Sequence, residues 1–133
     1  MVLKRSNDLE KLRVHRTIRL NYVCSLHGTS KFHYVHPLPA RDDPSATFDR
    51  LRDLLRRRPR IMILETADQY IHAVCYSRIF RFPDDLKCLL CPEEQVIHIS
   101  SASRYGMHDL GVNRARVEWL RRQLRSRSAT NPG

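Results

Sequence analysis

From residue 43 the apolar positions fall at helical spacing. Phe48, Leu51, Leu54 and Leu55 make one stripe, with Arg50, Arg52, Arg56 and Arg57 opposite it. Asp43 is placed to cap this helix, Pro44 suits its first turn, and Pro59 ends it. The period then drops to two. Residues 60–65 are a compact Ile/Met/Leu run, and residues 69–82 are the longest strand candidate, rich in Tyr, Ile, Val and Phe. Alternation along it sets Tyr70, His72, Val74, Tyr76, Arg78 and Phe80 on one face and Ile71, Ala73, Cys75, Ser77 and Ile79 on the other. Pro83-Asp84-Asp85 reads as a turn, 86–90 as a short strand, Cys91-Pro92-Glu93-Glu94 as a second turn, and 95–100 as the last strand. The helical period returns at 112–126, where Val117, Leu120 and Leu124 share a stripe.

Short turns between consecutive strands predict antiparallel pairing, because parallel strands need long crossovers. The expected fold is a two-layer α+β domain, a four-stranded antiparallel meander covered by two amphipathic helices. Residues 1–20 read as a basic arm with a short helical piece at 8–14, residues 21–126 as the single domain, and 127–133 as a flexible tail. Residues 21–42 look irregular, apart from an extended piece at 31–36 before the Pro37-Leu38-Pro39 break. The whole chain of 133 residues suffices for one modest core, and no apolar run approaches the roughly 18 residues of a membrane span. A secretory signal is not legible at the N-terminus, so the expected location is cytoplasmic. In that setting Cys24, Cys75, Cys88 and Cys91 are expected to be reduced thiols.

The net charge of +10 is unevenly spread. Residues 1–20 carry six basic residues against two acids, 50–60 carry six Arg against Asp53, and 110–133 carry six Arg against Glu118. The expected helices and arm therefore hold the positive charge, and the expected sheet is mildly acidic. Such segregation allows weak, non-specific polyanion or nucleic-acid binding, or contact with an acidic protein partner. An ordinary solvated basic surface is the favoured account, since a charge run alone is weak evidence.

The densest chemistry lies at the last strand-to-helix junction: Ser101-x-Ser103-Arg104-x-Gly106-x-x-Asp109-x-Gly111-x-Asn113-Arg114-x-Arg116-Val117-Glu118. This stretch resembles the signature of the bacterial and plastid family catalogued as domain of unknown function 1499. Residues 21–25 (NYVCS) resemble a degenerate form of that family's N-terminal Cys- and Ser-containing motif, without its second Cys and its Pro-Asn pair. Residues 34–38 are similar to the piece that follows it, and 70–85 to the family's central strand with its paired aspartates. The resemblance implies no catalytic activity, cofactor or substrate.

Two readings of the junction stay open. In one, Arg104 pairs with Asp109 or with Asp84 or Asp85, and Asn113 or Asp109 caps the helix, so the loop satisfies its own polar groups. In the other, Ser101, Ser103, Arg104, Asp109, Asn113, Arg114 and Arg116 make an anion- or partner-binding site at a helix N-terminus. His98 and His108 flank the loop, but a Gly-x-Ser-x-Gly elbow is missing, which argues against a hydrolase. Cys24-x-x-His27 and Cys88-x-x-Cys91 offer zinc-type ligands. Residues three apart in a strand point to opposite faces, however, so neither a metal nor another cofactor is expected. The favoured reading is a small non-catalytic binding or accessory module. The alternatives are an enzyme of unknown reaction using residues 101–109 and a basic nucleic-acid-associated protein.

Overall fold

The computed structural model describes residues 9–12, 21–104 and 111–130, with side chains of the last helix followed as far as Arg125. Strand β1 (Tyr22–Cys24) and the two-residue β2 (Leu38–Pro39) precede helix α1 (Pro44–Arg57). Strands β3 (Ile61–Ala67), β4 (Tyr70–Tyr76), β5 (Pro83–Cys91) and β6 (Val96–Ser103) follow, and helix α2 (Val112–Thr130) closes the chain. Helix α1 begins and ends as its capping signals require. The Asp43 carboxylate accepts from the Ala46 amide, Pro44 stands in the first turn, and Phe48, Leu51, Leu54 and Leu55 are buried.

Strands β3, β4, β5 and β6 pair in sequence order, every pair antiparallel. The sheet nevertheless has six strands and not four. β1 and β2 both pair with β6, giving the order β1-β6-β5-β4-β3 with β2 off that path. These additions come from the region that reads as irregular, because strands of three and two residues are too short to show a period. They leave β6 flanked on both sides.

Several boundaries also differ from the sequence reading: β6 runs on to Ser103, α2 continues to Thr130 into the stretch that reads as a tail, and two further differences bear on the site. The long strand candidate stops at Tyr76, and residues 77–82 form a loop in which Arg81 takes a left-handed conformation (φ 55°). Ser77 closes that loop, its hydroxyl accepting from the Phe82 amide. Ile79, Phe80 and Phe82 stand exposed, so their strand-like composition reports no burial here. Conversely, Pro83, Asp84 and Asp85 do not turn the chain but open β5. A turn propensity has been overridden by partners supplied from a distant segment.

The predicted alternation holds in β4. Ile71, Ala73 and Cys75 face the helices, in one cluster with Leu86, Cys88 and Leu90 of β5, Ile97 and Ile99 of β6, the α1 stripe, and Val117, Leu120 and Leu124 of α2. Part of the other face is buried as well. Leu12, in a helical turn at residues 9–12, is fully buried against Tyr70, Leu89 and Cys91.

Candidate functional site

β5 begins with two consecutive carboxylates, and consecutive strand residues point to opposite faces. Asp84 therefore faces the helices and Asp85 faces away from them. Both are buried, at 6% and 4% exposure. A buried carboxylate needs a charged or hydrogen-bonding partner. Each receives an arginine from the polar stretch that begins in β6, so this stretch grips the sheet from both sides.

On the helix side, Arg116 lies 3.0 Å from Asp84. Its Nη1 also donates to Ser101 Oγ at 2.9 Å and to Asn113 Oδ1 at 3.0 Å, while Ser101 Oγ donates to the same Asn113 oxygen at 2.7 Å. The Asn113 amide nitrogen reaches the Asn21 carbonyl (3.3 Å) and Ser103 Oγ (3.4 Å), which ties β1 to the start of α2. Ser101 and Asn113 are completely buried. Cys75 is the register partner of Asp84 across β4–β5. Burial pushes its thiol up from the ordinary 9.0; Arg116 opposes that rise, and Asp84 and Asp85 add to it. Cys88 is pushed up further, by burial first and then by Cys75.

On the other side, Arg104 donates from Nε to Asp85 Oδ2 and from Nη2 to Asp85 Oδ1, both at 3.1 Å, the two-pronged geometry that suits guanidinium and carboxylate. His72 Nε2 lies 2.8 Å from the same Oδ1. The Arg104 side chain is 40% exposed, against 15% for Arg116. The two halves differ in wetness, not in plan.

The structure thus brings Ser101, Ser103, Asn113 and Arg116 into one cluster and places Arg104 behind the sheet. Arg114 goes elsewhere. Its guanidinium donates to the Tyr34 and Phe32 carbonyls, both at 2.9 Å, and so pins residues 32–34 to the first turn of α2. Gly111 has φ 81°, which explains a glycine just before the helix. Asp109, Gly106 and His108 lie outside the described residues. His98 is on the face away from Ser101, its Nδ1 3.0 Å from Ser25 Oγ, so Ser101 and His98 do not form a catalytic pair. Cys88 sits in the helix-side core and Cys91 on the opposite face, so the four zinc-type residues read from the sequence are not assembled among the described residues. All four cysteines are buried thiols.

Among the described residues, no buried side-chain nitrogen or oxygen lacks a partner. The polar stretch uses its hydrogen-bonding capacity on itself, and an incoming ligand would have to break these contacts. Beside it runs a groove of about 320 Å3 lined by the buried Cys75, by Arg116, by the aromatic Tyr76 and Trp119, and by the exposed Arg58 and Arg60. Arg58 stacks on the Trp119 ring, 4.5 Å from its centroid. Reading the sequence did not single out this groove, because Arg58 and Arg60 looked like part of a charge run and Trp119 like part of a helix. A usable signal was present for the aspartates: two adjacent acids opening an apolar run, in a chain with a downstream excess of arginine.

The family described as "Protein of unknown function (DUF1499)" matches residues 14–124, which is most of the chain and all of the junction just described. No curated protein and no solved structure matches.

Proposed function

The chain belongs to the DUF1499 family, and we propose that it is a non-catalytic binding module whose groove beside the signature stretch receives a carboxylate-bearing segment of a protein partner. One observation carries this reading. Arg58, Arg60 and Arg116 line a single groove with two aromatic residues, next to a polar network that is satisfied from within. The signature residues then act as the scaffold: Ser101, Ser103, Asn113 and Arg116 hold the sheet to α2, Arg104 holds the far face, and Arg114 anchors the neighbouring loop. Arg116 belongs to both parts, since it joins Asp84 and also lines the groove.

Arginine suits this task because its planar fork meets a carboxylate with two hydrogen bonds. Tyr76 and Trp119 supply apolar surface for the segment that carries the acid. The volume is at the low end of ligand pockets, which favours one or two side chains over a large cofactor. Catalysis is not supported at Ser101, whose hydroxyl is fully buried, donates to Asn113 and accepts from Arg116.

Trp119 is the only tryptophan, so its fluorescence reports on the groove alone. An acidic peptide should change that fluorescence saturably, whereas a neutral peptide of the same length should not. Arg60→Glu, on an exposed residue of the groove, should abolish the change while leaving the fold intact. Raising salt should weaken binding steeply, as expected where exposed charges dominate. Equal response to the neutral peptide, or an unaltered response in Arg60→Glu, would remove the basis for this reading.

A further inference from the structure

At the other end of β5, the β5–β6 hairpin gathers three side chains of a different chemistry. Cys91 ends β5, Pro92–Glu94 form a single 3-10 turn, Gln95 takes a left-handed conformation (φ 56°), and β6 starts at Val96. Cys91 pairs with Val96 and Leu89 with His98, so Cys91 and His98 are diagonal neighbours on one face. The turn folds Glu94 over them. The Cys91 sulfur, a Glu94 carboxylate oxygen and an imidazole nitrogen of His98 all lie within 4.8 Å of one another.

We propose that Cys91, Glu94 and His98 form a binding site for a divalent ion of the zinc class. Thiolate, imidazole and carboxylate together are a borderline-soft donor set that suits zinc or cobalt and is a poor match for magnesium or calcium. In a tetrahedral zinc site these donors would stand about 3.3–3.6 Å apart, given zinc bonds of 2.0–2.3 Å. His98 Nε2 and Glu94 Oε2 are already 3.5 Å apart, long for a direct hydrogen bond and suited to an ion between them. The Glu94 side chain, 56% exposed, faces both His98 and Cys91.

The ring of His98 is held from behind. Its Nδ1 lies 3.0 Å from Ser25 Oγ, and Ser25 is itself fixed to β6, its hydroxyl accepting from the Ile99 amide at 2.8 Å and its own amide donating to the Ile99 carbonyl. With the ring proton on Nδ1, that proton goes to Ser25 and the Nε2 lone pair faces Cys91 and Glu94. An oxygen behind the second ring nitrogen is the usual outer support of a metal-bound histidine. The same contacts argue against a serine nucleophile, since Ser25 is 2% exposed and its oxygen is occupied by the Ile99 amide. Cys91 is fully buried, beside Tyr70 and Leu89, where a thiolate needs a cation to be stable. Binding therefore couples loss of the thiol proton to uptake of the metal, and leaves one tetrahedral position for water or a further ligand.

The test uses the full chain, stripped of metal and titrated with cobalt(II) and then zinc. One cobalt per chain should bind with a thiolate-to-cobalt charge-transfer absorption, and zinc should displace it and raise the melting temperature. Cys91→Ser should remove the absorption. Glu94→Gln, on an exposed side chain that leaves the fold intact, should weaken binding by about tenfold or more. No saturable uptake, the same absorption in Cys91→Ser, or an unchanged affinity in Glu94→Gln would each overturn the proposal. If Cys91→Ser does not fold, the Glu94→Gln titration decides alone.

Discussion

Asp84 and Asp85 are neighbours in sequence, equally buried, and each paired with an arginine, yet they sit in different solvents. Asp84 looks into the layer between sheet and helices, where Arg116 is 15% exposed and Ser101 and Asn113 complete the network. Asp85 looks out through the other face, where Arg104 keeps 40% of its surface in water and His72 offers a second donor to the same carboxylate. The strength of an ion pair depends on what surrounds it more than on its length. In the drier half, losing one partner leaves an uncompensated charge that water cannot reach. In the wetter half, water can replace the lost arginine. The same two-residue motif thus makes a lock on one face and a clasp on the other.

The sharpest way to break this comparison is to remove each arginine in turn. Arg116→Ala should destabilise the protein by about 3–5 kcal/mol, because Asp84 stays buried and loses its countercharge. Arg104→Ala should cost only about 1 kcal/mol or less, since its guanidinium is partly solvated and His72 remains at Asp85. Denaturant unfolding of the two variants reads the difference directly. A double-mutant cycle with Asp84→Asn or Asp85→Asn should give strong coupling for Arg116 with Asp84 and weak coupling for Arg104 with Asp85. Equal losses for the two arginines would mean that burial of the partner does not set the cost.

A middle-sized effect is expected at Asn113, which serves only the drier half. Asn113→Ala takes the shared acceptor from Ser101 and Arg116, and should cost about 1–3 kcal/mol, the usual penalty for stranding buried polar groups. Hydrogen exchange should show where the loss falls. Faster exchange should appear in β1 and the first turn of α2, which the Asn113 amide bridges, with β4 little changed.

The last effect is absent at neutral pH and appears only in alkali, and it again belongs to the helix side, where Cys75 and Cys88 are buried. Their folded-state pKa values are raised above the ordinary 9.0. Stability from this source is therefore complete below pH 9.0 and is lost as pH rises above it, because the unfolded thiols ionise first. The loss should be about 1.4 kcal/mol per pH unit for each thiol that stays protonated in the fold. Melting curves at successive pH values should show that decline in the parent protein and a shallower one in Cys88→Ala.

Much of the architecture was legible along the chain. Helix α1 could be read closely, because a capping aspartate, a first-turn proline, a four-residue apolar stripe and a terminal proline are local signals that all agree. The α2 stripe of Val117, Leu120 and Leu124 and the alternation of β4 were equally plain, as periodicity records which side faces a core. Of the signature stretch, Ser101, Ser103, Asn113 and Arg116 converge whereas Arg104 and Arg114 go elsewhere, and Arg104 with Asp85 was among the pairings it suggested. Tertiary structure alone decided the rest. β1 and β2 exist because β6 has an edge to be paired, and nothing in three or two residues announces that. The aspartate pair opens a strand because arginines some twenty and thirty residues later neutralise it, so a local preference for a turn loses to a distant charge. The groove and the Cys91–Glu94–His98 cluster each depend on which face a side chain takes and on what packs beside it. Composition and spacing set the menu of contacts; the register of the sheet chose among them, because a shift of one residue moves every side chain to the opposite face.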